Sequence, residues 1–357
     1  MPDSLPFRAM ETTEADLVAF RDAFGANGFP RDLEQLRWQY FAQPGERLLV
    51  DFAVDRGAEG EQIAGIYAAL PFTMKLGEET RVAGQALDVL TTAAYRGRGL
   101  FTGLARSLYA RCASEGLAFI YGFPNANTAN GYWTRLDWTS LDPMPFLIRP
   151  LRARYLLRRI PGLRAVASRL PDVRFPLPEA PRLETGQEIR TVDTFDERFD
   201  DLWEAFSRDI PVAVRRDRRY LQWRYTDKPL EEYHTRGLFR GDRLEGFATY
   251  CVKSKHGGVV GYLMELIHDP SIPKASESLA RVTAREIAKR GADVILAWNF
   301  RHSPNHSAFR AVGFHPFPEW ARPIELHFGA HALDSSVHAL VTERRNWYLS
   351  YSDSDTV

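Results

Sequence analysis

The stretch Ala86-Leu87-Asp88-Val89-Leu90-Thr91-Thr92-Ala93-Ala94-Tyr95-Arg96-Gly97-Arg98-Gly99-Leu100-Phe101 decides how this chain is read. Its front half reads as a strand, with β-branched Val89, Thr91 and Thr92. Its back half opens a helix, because Phe101, Leu104, Ala105, Leu108 and Cys112 recur at helical spacing and form one apolar face. Between the two lie Arg96, Gly97, Arg98 and Gly99. The first turn of a helix presents backbone N–H groups with no internal partner. Glycine lets that backbone approach a ligand closely. A strand, a glycine turn and a helix N-terminus therefore form a cradle for an anion, and arginines add charge-assisted bonds to phosphate oxygens. The spacing after Gly99 does not fit the dinucleotide pattern Gly-x-Gly-x-x-Gly, and no Gly-Lys-Ser/Thr of a P-loop is present.

Working outward, the chain repeats itself. Leu36-Arg37-Trp38-Gln39-Tyr40 with Pro44 is matched by Leu221-Gln222-Trp223-Arg224-Tyr225 with Pro229. After each motif come extended stretches, a strand carrying a glycine (Gly65; Gly246), another strand (86–91; 262–268), an amphipathic helix, a short apolar strand (119–123; 294–298) and an Asn-rich loop. This shared order indicates a duplicated unit. The expected organisation is a domain over 1–142, a Pro/Arg-rich connector over 143–186 and a second domain over 187–357. The connector carries Arg149, Arg152, Arg154, Arg158, Arg159, Arg164 and Arg169, with no acidic residue between Asp142 and Asp172. It reads first as a linker with solvated arginines. Its second reading is a basic face for a nucleotide diphosphate or an anionic membrane surface contacting 149–169.

Arg96-x-x-Gly99-x-Phe101 resembles the Arg/Gln-x-x-Gly-x-Gly/Ala motif of the GNAT superfamily of acyltransferases, with Phe101 in the small-residue position. The resemblance implies an α/β fold of the α+β type, two GNAT-like mixed-sheet domains in tandem, and acetyl-CoA or another acyl-CoA as co-substrate. It assigns the coenzyme to Arg96, Gly97, Arg98, Gly99, Leu100, Phe101 and Thr102, to backbone N–H groups of Leu90 and Thr91 at the splayed strand end, and to Asn127. The family's tyrosine position holds Trp133, and Tyr132, one residue away, becomes the expected general acid. For the base, Asp88 is considered first, against an equally supported reading as a paired or solvent-facing carboxylate. His302 and His306 come second, because histidine titrates in the useful range. The second half has Asp269-Pro270-Ser271-Ile272-Pro273 in place of the cradle. Prolines lack an N–H, so this half is expected not to bind coenzyme A. The expected acceptor is a small-molecule amine, with nucleotide-linked amino sugars suggested by tandem chains of the family. The alternatives are an acyl-CoA sensor without turnover and an aminoacyl or peptidoglycan-type transferase.

Other features set the class. A length of 357 residues suits two domains rather than one core. Lys+Arg and Asp+Glu are both 46, which argues against a nucleic-acid-binding surface. Cys112 and Cys251 lie in apolar runs and read as buried thiols, and no Cys/His set has zinc spacing, so no metal is expected. No apolar run reaches membrane-spanning length and the N-terminus lacks a leader pattern, so the expected location is cytoplasmic.

Overall fold

The computed structural model describes residues 5–57, 60–158 and 172–354. The first half runs β1 (Phe7–Ala9), α1 (Glu14–Ala26), α2 (Leu33–Tyr40), β2 (Leu49–Gly57), β3 (Gly60–Leu76), β4 (Glu79–Thr91), α3 (Leu100–Ser114), β5 (Phe119–Gly122), α4 (Ala126–Arg135) and β6 (Thr139–Ser140). Then come β7 (Phe146–Pro150) and α5 (Ala153–Leu157). The second half repeats the order: β8 (Gln187–Val192), α6 (Glu197–Ser207), β9 (Val212–Val214), α7 (Arg218–Leu221), β10 (His234–Arg240), β11 (Arg243–Lys255), β12 (Gly258–His268), α8 (Ala275–Lys289), β13 (Val294–Trp298), α9 (His306–Val312) and β14 (His315–Pro316). It closes with β15 (Gly329–Ala332), α10 (His338–Val341) and a final turn at Tyr351–Asp353. The repeated motif begins each time with the same helix cap. Asp32 accepts from the Gln35 N–H at 3.0 Å and Asp217 from the Tyr220 N–H at 2.9 Å, each satisfying a first-turn donor.

Two mixed sheets result. The first has the order β1-β2-β3-β4-β5-β15-β6, with β9 pairing on β3, and the second has the order β14-β7-β13-β12-β11-β10-β8. The expected division at 142 and 187 therefore differs from the division into sheets. β7, inside the expected connector, lies between β13 and β14 of the second sheet. β15, from the second half, lies between β5 and β6 of the first. The connector thus gives a strand to the second sheet, and the second half gives its last strand to the first. The connector's arginines are occupied accordingly. Arg149 donates to carbonyls of Val312, Pro150 and Pro176, and Arg152 pairs with Asp172 at 3.0 Å. Arg159, Arg164, Arg169 and the break expected at Pro161 lie outside the described residues. No described helix is long and apolar enough to cross a membrane.

One apolar cluster runs through both halves, joining Leu36, Trp38 and Phe72 to Tyr220, Leu221, Trp223 and Trp347. At its centre the rings of Trp38 and Trp223 stack 4.5 Å apart with 9° between planes. Each indole N–H donates to the backbone carbonyl of the other tryptophan, at 2.8 and 3.2 Å. These reciprocal bonds and the stack pack the repeated tryptophans of the two halves against each other. Cys112 and Cys251 are both buried.

The tail 350–354 is buried between the halves. Arg216, with no exposed side-chain surface, pairs with Glu265 at 2.8 Å and Asp353 at 2.7 Å. Removing one member of a buried ionic cluster leaves uncompensated charge and costs about 3–5 kcal/mol. Arg216→Met is therefore expected to lower the unfolding free energy extrapolated from urea titration by that amount, and an unchanged value would show that the cluster contributes nothing net.

Candidate active site

The site starts with a bulge. Ile66 pairs with Leu90 and Ala68 with Leu87, so Asp88 and Val89 both stand opposite Tyr67. Asp88 takes a positive φ of 47° there. Such a bulge bends its strand. β4 and β5 pair only from Gly84–Ile120 to Ala86–Gly122 and then part. The opening between them, about 530 Å³, is lined by Gln85, Asp88, Val89, Phe123, Asn125 and Tyr132 among others. Beyond it a broader trough of about 1140 Å³ takes in Thr91, Arg96, Phe101, Asn127 and Arg135.

At the end of the trough is the expected cradle. Gly97 and Gly99 have φ of +78° and +76°, conformations that other residues reach only with strain, and a Cβ at either would meet nothing within 4 Å. The space above the loop is open. Gly99 caps α3, whose first helical bond runs from the Gly103 N–H to the Gly99 carbonyl at 3.0 Å. The amides of Leu100, Phe101 and Thr102 precede that bond and so belong to the unsatisfied first turn. Leu100 is buried, whereas Arg96 and Arg98 are exposed. Arg98 lies over the Tyr95 ring at 5.1 Å. The large side chain of Phe101 does not obstruct the loop. Its ring sits against Gly131 and Tyr132, the latter at 5.3 Å between centroids.

Alternation sorts the two strand amides. The Thr92 N–H donates to the Ala64 carbonyl on β3 at 3.0 Å. By the period of two the Leu90 amide also faces β3, and the Thr91 amide faces the gap. Asn127 lines the trough, and its N–H is capped by the Asn125 side chain at 3.0 Å.

The expected acid and bases fare differently. Asp88 lines the gap, but its carboxylate accepts from Gln39 at 2.8 Å and Tyr40 at 2.7 Å and is ion-paired with Arg31. A carboxylate bonded to so many donors is a poor base. The same lock recurs in the second half as Arg216 on Glu265. A lock kept where the cradle is missing belongs to the fold, so the paired reading of Asp88 is the one the geometry favours. The Tyr132 ring lines the gap, but its hydroxyl lies 3.1 Å from the Tyr67 hydroxyl in a buried network with Tyr109 and Trp138, and burial holds it well above the usual tyrosine range. His302 is not brought to the gap. It is exposed, its Nε2 lies 2.9 Å from the Trp347 carbonyl and its ring stacks on Phe300. His306 Nδ1 is 3.0 Å from Asn299 Oδ1.

The corresponding place in the second half is filled by side chains. Asp269 occupies the turn, bonding Arg243 at 2.6 Å and the Ser271 N–H at 2.9 Å. Asn305, at the start of α9 as Asn125 is of α4, donates across the divergence to the Leu266 carbonyl at 2.6 Å.

Sequence reasoning missed a narrow cleft between the halves, lined by Trp38, Gln39, Trp223, Arg224, Lys228 and the tail Ser352–Ser354. Gln85 and Leu87 line both this cavity and the gap, so the two meet across β4. The repeated motif could have indicated it. The residue between Trp and Tyr, Gln39 in one copy and Arg224 in the other, lines it in both cases.

Comparison with known proteins agrees with this geometry. Residues 8–140 match the family model described as an acetyltransferase (GNAT) domain. No curated protein matches the chain in sequence. Among solved structures, it is similar to a GCN5-related N-acetyltransferase from Anabaena variabilis, at TM-score 0.64 and 10% identity, over 95% of this chain and 75% of that one. It is also similar to Saccharomyces cerevisiae N-myristoyltransferase with bound myristoyl-CoA, at TM-score 0.60 and 11% identity, over 92% of this chain and 83% of that one. The matched domain is thus of the acetyltransferase (GNAT) type, and the solved structures share the fold of the whole chain.

Proposed function

With a GNAT domain over residues 8–140 as premise, we propose that this chain transfers an acetyl or short acyl group from acyl-CoA to a small-molecule amine. The observation that carries the reading is the open first turn of α3 beside the parting of β4 and β5. In this reading the pyrophosphate rests on the amides from Gly97 to Thr102 with Arg96 and Arg98 supplying charge. The pantetheine arm runs past Asn127 into the gap. The Thr91 N–H polarises the thioester carbonyl, as a preorganised donor aimed at developing negative charge. The amine, in its neutral form, arrives from the cavity between the halves at Gln85 and attacks the carbonyl carbon; the C–N bond forms as the C–S bond breaks, and coenzyme A leaves as the thiol carrying the proton that the amine nitrogen loses. Holding both reactants at that crossing supplies much of the acceleration. The second half binds no coenzyme and contributes one wall of the acceptor cavity.

The nucleotide-linked acceptor loses its main support. Of the described arginines that suggested it, Arg149 and Arg152 are bonded beside the second sheet, and Arg149, Arg152, Arg154 and Arg158 all lie outside the lining of the gap and the cavity. The test of the proposal is calorimetry with acetyl-CoA followed by titration of thiol released with an amine panel. Absence of heat with acetyl-CoA would end it.

Asp88 acts in this scheme as a positioning residue that fixes the bulge. Asp88→Asn keeps a side chain that tolerates positive φ and is expected to lower turnover by less than about tenfold, with the pH–rate profile keeping its shape. A general base contributes about 10²–10⁴-fold, so a loss of that size with the acidic limb removed would restore Asp88 to that role.

A further inference from the structure

Independently of the reading above, we infer that a groove beside the second sheet, between residues 174–177 and the C-terminal end of α8, binds a small organic anion: a carboxylate or phosphate head carried on an apolar body.

Backbone pairing builds the groove. Past β7 the chain runs antiparallel to residues 173–175. The Ala153 N–H donates to the Val173 carbonyl at 2.8 Å and the Phe175 N–H to the Leu151 carbonyl at 2.9 Å, and Arg152 and Arg174 form an antiparallel bridge. Side chains tie this strap to the rest of the second half. Arg149 donates to the Pro176 carbonyl, and Arg285 Nη1 to the Pro178 carbonyl at 3.0 Å. Between the strap and α8 a space of about 390 Å³ stays open, within the range of small-molecule sites. Ala288 and Ala292, at and just past the end of α8, line it with nothing larger than methyl groups. It shares no lining residue with the gap, the trough or the cleft between the halves.

Charge gives the head group. Arg152, Arg174, Arg285 and Lys289 line the groove, and among the described residues no acid does. Arg152 is matched, to Asp172 at 3.0 Å and Asp293 at 3.5 Å. Arg174, Arg285 and Lys289 form no ion pair among the described residues. The neighbouring acids are engaged or turned away. Asp293 also accepts from the Val259 N–H at 2.9 Å, and Glu286 holds Arg236 at 2.9 Å and the Tyr250 hydroxyl at 2.8 Å. Glu179 is exposed and outside the lining. The end of α8 contributes roughly half a negative charge, which three cations outweigh. An entering carboxylate or phosphate therefore meets guanidinium donors that no carboxylate has taken, and can form charge-assisted bonds with them. The other walls give the body. Leu151, Phe175, Pro176 and Leu177 are apolar, and Phe175 remains 37% exposed. A hydrocarbon laid against them removes that surface from water, which an inorganic anion cannot do. Leu151 and Ala292, at 5% and 3% exposure, lie too deep for a flat anionic surface to reach, so the occupant is a separate molecule rather than a membrane.

The experiment is calorimetric titration of the full chain with octanoate and octyl phosphate, each kept below its micelle concentration. Inorganic phosphate, octanol and the octyltrimethylammonium cation are the controls, and each titration is repeated with acetyl-CoA present. The expected result is one saturable site for at least one octyl anion, about tenfold or more tighter than inorganic phosphate, with no such site for octanol or the cation. Arg174→Gln combined with Lys289→Gln, both at exposed positions, should weaken that binding about tenfold, the size of two solvent-exposed charge contacts. Added salt should weaken it as well. Ala288→Trp keeps every charge but fills the groove, and should reduce the octyl anion to the affinity of inorganic phosphate. Near-UV circular dichroism reports the fold of each variant, and the exposed double variant decides the matter if Ala288→Trp does not fold. Binding of neither octyl anion overturns the groove. So does equal affinity for octanol, an affinity unchanged in the double variant, or loss of binding when acetyl-CoA is present. Cosedimentation with phosphatidylglycerol vesicles by a protein that binds neither free anion would assign these charges to a membrane surface instead. None of these outcomes alters the acyl-CoA reading.

Discussion

Gly99→Asp is expected to weaken acetyl-CoA binding by about two orders of magnitude while the chain still unfolds cooperatively in urea. The position tolerates the change structurally. Gly99 sits at φ +76°, a region that Asp enters more readily than most residues, and its Cβ would project into empty space. It does not tolerate the change electrostatically. The new carboxylate lies at the N-terminus of α3, in the volume assigned to the pyrophosphate. Two like charges about 5 Å apart at an effective dielectric near 20 repel by about 3 kcal/mol, which is about two orders of magnitude in Kd. Gly99→Ala separates the two contributions. It adds only backbone strain of roughly 1–2 kcal/mol and should weaken binding far less than the aspartate does. An affinity for acetyl-CoA unchanged in Gly99→Asp would remove the cradle from the site and, with it, the assignment of Arg96 through Thr102.

The cradle was legible in the sequence because its determinants are local. A strand, two glycines and a helical apolar face follow one another within a few residues, and positive φ at Gly97 and Gly99 is a property of those residues alone. The duplication was legible for a related reason, since order along the chain survives divergence. The strand exchange was not. Phe146-Leu147-Ile148 reads as a strand in any sheet, and no local residue says that its neighbours will be β13 and β14. The fate of Asp88 also depended on a distant residue, Arg31. A longer reading of the repeat would have exposed it. Arg31-Asp32 precedes Leu36-x-Trp38-x-Tyr40 just as Arg216-Asp217 precedes Leu221-x-Trp223-x-Tyr225, and each arginine holds an acid on the strand of its own half that leads to the parting, Asp88 on β4 and Glu265 on β12. Lys228 carried no signal, because a single lysine looks the same whether a fold buries it or leaves it in water.

The exchange of strands makes a second large prediction. Residues 1–142 alone are expected not to fold, although they contain the whole cradle. They lack β15, which separates β5 from β6, and β9, which pairs with Met74–Leu76. They also lose Trp223 from the Trp38 stack, and Gln85 loses the Asp353 carbonyl. β5 would become an open, apolar edge, which favours aggregation. Residues 187–357 alone should fail in turn, with β13 and β14 missing β7 between them. Complementation discriminates this account from a simple shortage of core. Co-expressing 1–142 with 143–357 supplies every strand and should give a soluble complex with native near-UV circular dichroism. Co-expressing 1–142 with 187–357 omits only the connector and β7 and should not. If 1–142 by itself unfolds cooperatively in guanidinium, the first half is an independent domain, and the pairing of β15 with β5 contributes little to its stability. If both pairs complement equally, β7 is dispensable to the second sheet.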